Sequence, residues 1–171
     1  MPNAIPCQLP RESRLPDSLP RIDYLDSFEV PSRFPEQNLV AIYATTLGHL
    51  PNVFKQLLVV RSRLVKPFGI AGVSYKDLAR PIDTARSYAV GEKIGRWILF
   101  AKHREELITG ANDRHLDFRV SVFRDARPRI VLSTAVMTHN ALGRAYLATI
   151  LPFHRFGVAK LLRDASAAGR I

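Results

Sequence analysis

The chain has 171 residues, of which 47% are hydrophobic, and it carries a formal net charge of +10 and a single cysteine, Cys7. This length and apolar content predict one globular domain with a full core and exclude an intrinsically disordered chain. One cysteine excludes an internal disulfide framework and is typical of a reducing compartment, so we expect a cytoplasmic protein. No apolar run is long enough to span a membrane, and the N-terminus lacks the apolar core of a secretion signal.

The positive charge is spread along the chain. Arginine recurs from Arg11 to Arg170 without a dense basic block and without interleaved aromatic residues. Nucleic-acid binding needs basic residues gathered on one face, so this spread argues against a nucleic-acid partner. One class of function that this charge distribution leaves open is an interaction protein that acts through its basic surface or its proline-rich arm.

The first half of the chain predicts an arm, one strand and two short helices. Five prolines fall within residues 1–20, which disfavours regular structure and predicts an extended N-terminal arm ahead of a single domain at 21–171. The alternating run 22–30 predicts the first strand. Helices are predicted over about 36–47 and 52–66, because proline and glycine bound each apolar stripe.

The second half predicts an antiparallel meander. Residues 69–92 are expected to hold one short strand and a loop. Two strands follow at 94–102 and 105–111, joined by a tight turn. Residues 115–123 then alternate between polar and apolar up to Val122, and 130–138 are rich in β-branched residues, so these two runs predict a hairpin.

One long helix closes the chain. Asn140 is a good N-cap, and apolar residues recur at helical spacing behind it, so we predict a helix from Ala141 to about Ala167 with Pro152 kinking it. The fold class is therefore α+β, with a curved antiparallel sheet wrapped around a long C-terminal helix and two short helices after the first strand. Such an arrangement tends to leave a cavity between helix and sheet, where small-molecule sites commonly form.

The chain resembles a bacterial family of domains of unknown function in four pieces, which read LVVRSRLVKPFGI, GANDRHLDFRVSV, THNALGRAYL and PFHRF and cover roughly Ile22 to Arg163. That family also occurs as a C-terminal module fused to short-chain-dehydrogenase-like domains. The resemblance places it in the START-like, or polyketide-cyclase-like, helix-grip superfamily. It implies a seven-strand-type sheet that grips the C-terminal helix around a ligand cavity. Because this chain has no dinucleotide-binding glycine fingerprint, a reductase partner would act in trans.

A polar set on strand 115–123 carries the enzyme hypothesis. His115, Asp117 and Arg119 share one strand face, where a histidine beside a carboxylate would serve as a general base and the arginine would stabilise an anion. The alternative is a solvated ladder of surface ion pairs, because the opposite apolar face is the better candidate for the concave interior. An acid–base enzyme of the cyclase or isomerase type therefore stays open, as does the absence of any reaction.

The leading prediction is a module that binds a small hydrophobic molecule in the cavity. Tyr146 and Phe153 lie two helical turns apart and are expected to share the buried side of the helix. No metal and no cofactor is predicted, and a homodimer stays open. The residues predicted to bind the ligand are Trp97, Phe118, His139, Tyr146, Phe153 and His154.

Overall fold

The computed structural model describes residues 4–34, 36–48 and 81–171, which form an α+β fold. In these described residues the strands form one seven-stranded antiparallel sheet, which two α-helices and a short 3-10 helix accompany. The strands are β1 (Ile5–Pro6), β2 (Tyr24–Pro31), β3 (Lys93–Ile94), β4 (Trp97–Lys102), β5 (Glu106–Asn112), β6 (Leu116–Arg124) and β7 (Arg129–Thr138). The helices are η1 (Leu15–Ser18), α1 (Leu39–Leu47) and α2 (Ala141–Ala167).

The sheet joins the beginning of the chain to its end. Strands β3 to β7 follow one another as antiparallel neighbours, whereas β2 pairs with β7, and β1 then adds to β2 as an edge strand. The β2–β7 register runs from Tyr24 opposite Val136 to Pro31 opposite Arg129. The predicted fold class is confirmed, because this curved sheet carries the long C-terminal helix.

The first predicted helix is confirmed as α1, although it begins at Leu39 and not near residue 36. Asn38 sets this start, because its side chain accepts a hydrogen bond from the Val40 amide at 2.9 Å and so caps the first turn. The second predicted helix, at 52–66, lies outside the described residues, as does the 69–80 part of the strand and loop predicted for 69–92. Residues 81–92 contain no strand.

The main core lies between the concave face of the sheet, α1 and α2. Helix α1 contributes Val40, Tyr43 and Leu47, and α2 contributes Leu162 and Ala165 to the same cluster. The side chains on this face come from alternate positions of each strand, as the period of two requires. The C-terminal part of α2 is thereby fixed on the sheet. Neither described α-helix is long and apolar enough to cross a membrane.

The opposite face of the sheet is covered by the N-terminal residues. Leu15 and Leu19 are buried there against Ile108 of β5 and Ala135 of β7. The predicted arm therefore packs on the sheet over much of its described length, although it contains only the two-residue strand β1 and one turn of 3-10 helix.

Candidate functional site

The concave face carries an aromatic pair at its β4–β6 side. The rings of Trp97 and Phe118 meet edge to face, with 5.3 Å between centroids and 75° between planes. Both side chains pack against the main core, yet both remain partly exposed, unlike the buried Leu99, Val120 and Val122 on the same strands. The two aromatic residues predicted on β4 and β6 are thus brought together on one face, where they form an apolar wall.

Arg96 lies over this wall. A two-residue turn, Gly95–Arg96, joins β3 to β4, and Gly95 supplies the positive φ of 61° that the turn needs. The guanidinium carbon lies 4.2 Å from the Trp97 ring centroid, which is a cation–π distance. Burial lowers the pKa of Arg96, and no residue in the described ranges gives its side chain a hydrogen bond or an ion pair.

Two hydroxyl groups lie on the same side of the core. Thr109 of β5 is fully buried between Leu99 and Val120, and its Oγ1 makes no well-aligned hydrogen bond, although the Tyr43 side chain lies beside it. The neighbouring hydroxyl of Tyr43 donates to the Ile94 carbonyl at a long 3.4 Å. Burial raises the pKa of Tyr43 to about 12, so this phenol is neutral at physiological pH and keeps its proton for donation.

A second polar group ties α2 to β2. His154 Nε2 lies 3.3 Å from Asp26 Oδ1, and the Tyr24 hydroxyl donates to Asp26 Oδ2 at 2.6 Å. Arg155 Nε in turn donates to the Tyr24 hydroxyl at 3.1 Å. Burial, and then the bond to Asp26, raise the pKa of Tyr24 to about 12. A histidine held by a carboxylate has the arrangement of an acid–base pair, and it also fixes the helix to the sheet.

Comparison with known proteins assigns the chain to a family. The matching family, described as "Protein of unknown function (DUF2867)", covers residues 18–161. The chain belongs to this family. No curated protein matches the chain, and no solved structure matches it. The DUF2867 match therefore supports the predicted domain of unknown function and leaves the activity to be inferred from the site.

In this DUF2867 protein the buried stripe of α2 differs from the predicted one. The residues that face the sheet follow the series His154, Val158, Leu161 and Ala165. The expectation that Phe153 faces inward is wrong, because its side chain is 62% exposed. The helix is apolar on more than one side before Gly157, so spacing alone did not fix the phase of the stripe.

Two predicted histidines lie at the end of the sheet where β7 leads into α2. His139 Nε2 pairs with Asp117 Oδ1 at 3.1 Å, and its backbone amide donates to the His115 carbonyl at 2.9 Å. The His115 side chain contacts the amide group of Asn140, the N-cap of α2. Tyr146 lies further along α2 and is half-buried.

Arg119 lies on the face covered by the N-terminal residues. Its guanidinium lies 3.5 Å above the Phe100 ring and donates to the Phe118 carbonyl at 2.9 Å. Burial lowers its pKa. The structure thus separates the three residues of the enzyme hypothesis, because His115 contacts Asn140 and Asp117 contacts His139, while Arg119 stacks on Phe100.

Sequence reasoning missed the polar residues nearest the aromatic wall. The inward-facing positions of β5 are Leu107, Thr109 and Ala111, and Thr109 is the one polar residue among them. A polar residue on an otherwise apolar strand face is a signal that the sequence contains. The turn Gly95–Arg96 directly precedes Trp97 and forces the arginine close to that ring. The pairing of Asp26 with His154 had no local signal, because 128 positions separate the two residues.

An open groove of about 710 Å³ lies elsewhere on the molecule. Arg33, Phe34 and Arg170 are among the residues that line it. None of the residues predicted from the sequence to bind a ligand borders this groove. The candidate site on the concave face is therefore separate from this groove.

Proposed function

We propose that this domain binds a small, mostly apolar molecule between the concave face of the sheet and α2, in the manner of START-like helix-grip proteins. The observation that carries the proposal is the Trp97–Phe118 pair, which stays partly exposed although Leu99, Val120 and Val122 on the same faces of these strands are buried. Large aromatic surfaces provide most of the contact area in small-molecule sites.

The packing of α2 supports the same location. Its apolar contacts with the main core come from Val158 onward. The preceding turns of α2 are half-buried or exposed. His154, which contacts Asp26 of β2, is the last inward-facing residue before these apolar contacts begin.

The cytoplasmic location and the reductase partner in trans stay predictions from the sequence.

The test is a substitution that adds a bulky side chain beside the aromatic wall. Ala111 pairs with Phe118 across β5 and β6, so Ala111→Phe adds a ring beside the proposed ligand. We expect the protein to bind N-phenyl-1-naphthylamine, a neutral apolar fluorophore, and we expect Ala111→Phe to weaken that binding by about tenfold, because a few lost apolar contacts are worth about 1.4 kcal/mol.

Val90→Phe is the matched control, since Val90 is 62% exposed in a loop and the added ring touches no wall. Fluorescence titration gives the affinities, and native mass spectrometry of the purified protein looks for a retained small molecule. A protein that neither retains a molecule nor binds the fluorophore would rule out the proposed function.

A further inference from the structure

A positive charge without a protein partner lies beside the aromatic wall. Arg96 stacks on Trp97 and is partly buried, yet no described residue offers it an acceptor. Arg119 on the other face does have an acceptor, because its Nη1 donates to the carbonyl of Phe118 at 2.9 Å, although its Nε has none. A cation that loses water without gaining an acceptor is unfavourable, so a bound acceptor at Arg96 would be stabilised.

Two further donors lie on the same side of the core. Thr109 Oγ1 is fully buried and makes no well-aligned hydrogen bond, although most buried hydroxyls make one. Tyr43, close by, donates only at 3.4 Å. Arg96 can only donate, and both hydroxyls can donate as well. Both hydroxyls can also accept, so the preference for an acceptor comes from Arg96, which has no acceptor of its own among the described residues.

We propose that the molecule bound on the concave face is an amphipathic monoanion of the carboxylic acid class, with its carboxylate on Arg96 and Thr109 and its apolar body on Trp97 and Phe118. This inference rests on the proposed binding function. One guanidinium balances one negative charge, and its planar pair of donors matches a planar carboxylate. The acid can be an alkyl or an aromatic one, because both share this head group.

The experiment uses the full chain and displacement of N-phenyl-1-naphthylamine. Decanoate is compared with 1-decanol, and 1-naphthoate with 1-naphthalenemethanol, at pH 7.5 and about 0.15 M salt, where diffuse attraction to the basic surface is screened. In at least one pair we expect the acid to bind about tenfold more tightly than its alcohol, or more, because one charge-assisted hydrogen bond contributes about that much to affinity. The pair that shows the larger preference distinguishes an alkyl from an aromatic body.

Two substitutions locate the preference. Arg96→Gln should abolish it, so that each acid then binds no more tightly than its matched alcohol. Thr109→Val keeps the shape of the side chain and should reduce the preference by a smaller factor. Arg163→Gln is the matched control, because it removes one positive charge from an exposed position of α2. Thermal unfolding of each variant checks that it is folded.

The outcomes separate the two proposals. Binding of the fluorophore without a preference for either acid overturns this inference and leaves the binding function standing. A preference that survives Arg96→Gln, or that Arg163→Gln reduces equally, also overturns the inference, since the charge that matters then lies elsewhere. Absence of any binding by the fluorophore, the acids and the alcohols overturns both.

Discussion

Single polar side chains at the end of the sheet hold the chain where β7 passes into α2. Asp23 accepts from the Thr138 amide at 2.7 Å and from its hydroxyl at 2.6 Å, and Arg21 donates to both carboxylate oxygens. These bonds favour the ionised carboxyl group, and they lower the pKa of Asp23 well below its ordinary value, with the bond from Arg21 as the largest cause.

The lowered pKa of Asp23 predicts an acid-sensitive contribution to stability. The unfolded carboxyl group titrates near its ordinary pKa of about 4, so the contribution is fully present above that pH and is lost as pH falls towards the lower folded value. We expect Asp23→Asn to lower the free energy of unfolding at pH 7 by about 1 kcal/mol, since the site is partly exposed, and to flatten its decrease below pH 4. Denaturant titrations between pH 2 and pH 7 measure both effects.

Asp17→Asn is the control, because Asp17 is exposed and its ion pair with Arg14 is 3.6 Å long. If the stability of Asp23→Asn falls with acid as steeply as that of the original protein, Asp23 is not the source of the acid sensitivity.

Gly143 shows how one missing side chain allows α2 to dock. An added Cβ atom would lie 2.0 Å from the His115 carbonyl oxygen, which is too close for any real contact. Asn140 caps the same turn through the Gly143 amide at 3.0 Å, so the backbone has little freedom to retreat. A helix that begins against the β5–β6 turn therefore needs glycine here.

Gly143→Ala should destabilise the protein by about 1–3 kcal/mol, as overpacking does. The sign is informative, because in an exposed helix the same change stabilises by about 1 kcal/mol. Ala145→Gly, at an exposed position of α2, gives the ordinary propensity effect for comparison. Chemical denaturation provides the free energies, and a stabilised Gly143→Ala would contradict the close contact with His115.

At the scale of elements, the N-terminal segment is held by one buried carboxylate. Glu106 of β5 is 1% exposed and accepts from Ser13 Oγ at 2.5 Å, from Ser121 Oγ at 2.5 Å and from the Arg14 amide at 2.6 Å. Leu15 then enters the apolar cluster beside it. The proline-rich composition indicated that regular structure would be sparse, but it carried no sign of these long-range contacts.

Glu106→Gln should loosen this segment while the sheet stays folded. One acceptor oxygen becomes an amide donor, and the charge that strengthens the three bonds is lost, so we expect about 2 kcal/mol of destabilisation. Hydrogen exchange of the amides in residues 13–19 should speed up more than exchange in β6 and β7. Glu12→Gln, at an exposed neighbouring position, should change neither. Uniform acceleration across the sheet would show that Glu106 supports the whole fold instead.

The elements themselves were predictable where one period dominated. The alternation along β6 predicts one polar and one apolar face, and the structure turns the apolar face with Val120 and Val122 towards the core. The predicted N-cap at Asn140 is confirmed. The side of α2 that faces the sheet was not predictable, because apolar residues such as Phe153 and Phe156 occur outside the buried stripe. Periodicity predicts that a helix exists more securely than it predicts which side faces the sheet.

At the scale of the whole molecule, β2–β7 pairing assembles the candidate site. It carries Tyr24 and Asp26 beside the end of the meander, where α2 returns over the sheet and presents His154. Arg96, Tyr43 and Thr109 approach one another from a turn, a helix and a strand. The site therefore depends on pairing between distant segments and on a helix that crosses back over them.

Local periodicity and short hairpin connections are enough to predict the fold class and the antiparallel run of strands from β4 to β7, because they act between residues that are close in the chain. The partners of the charged side chains follow from the three-dimensional arrangement alone. Asp117 contacts His139 and Asp26 contacts His154, while Arg96 has no described acceptor. Polar contacts of this kind depend on distances of about 3 Å between elements far apart in the chain, and no local pattern encodes such distances.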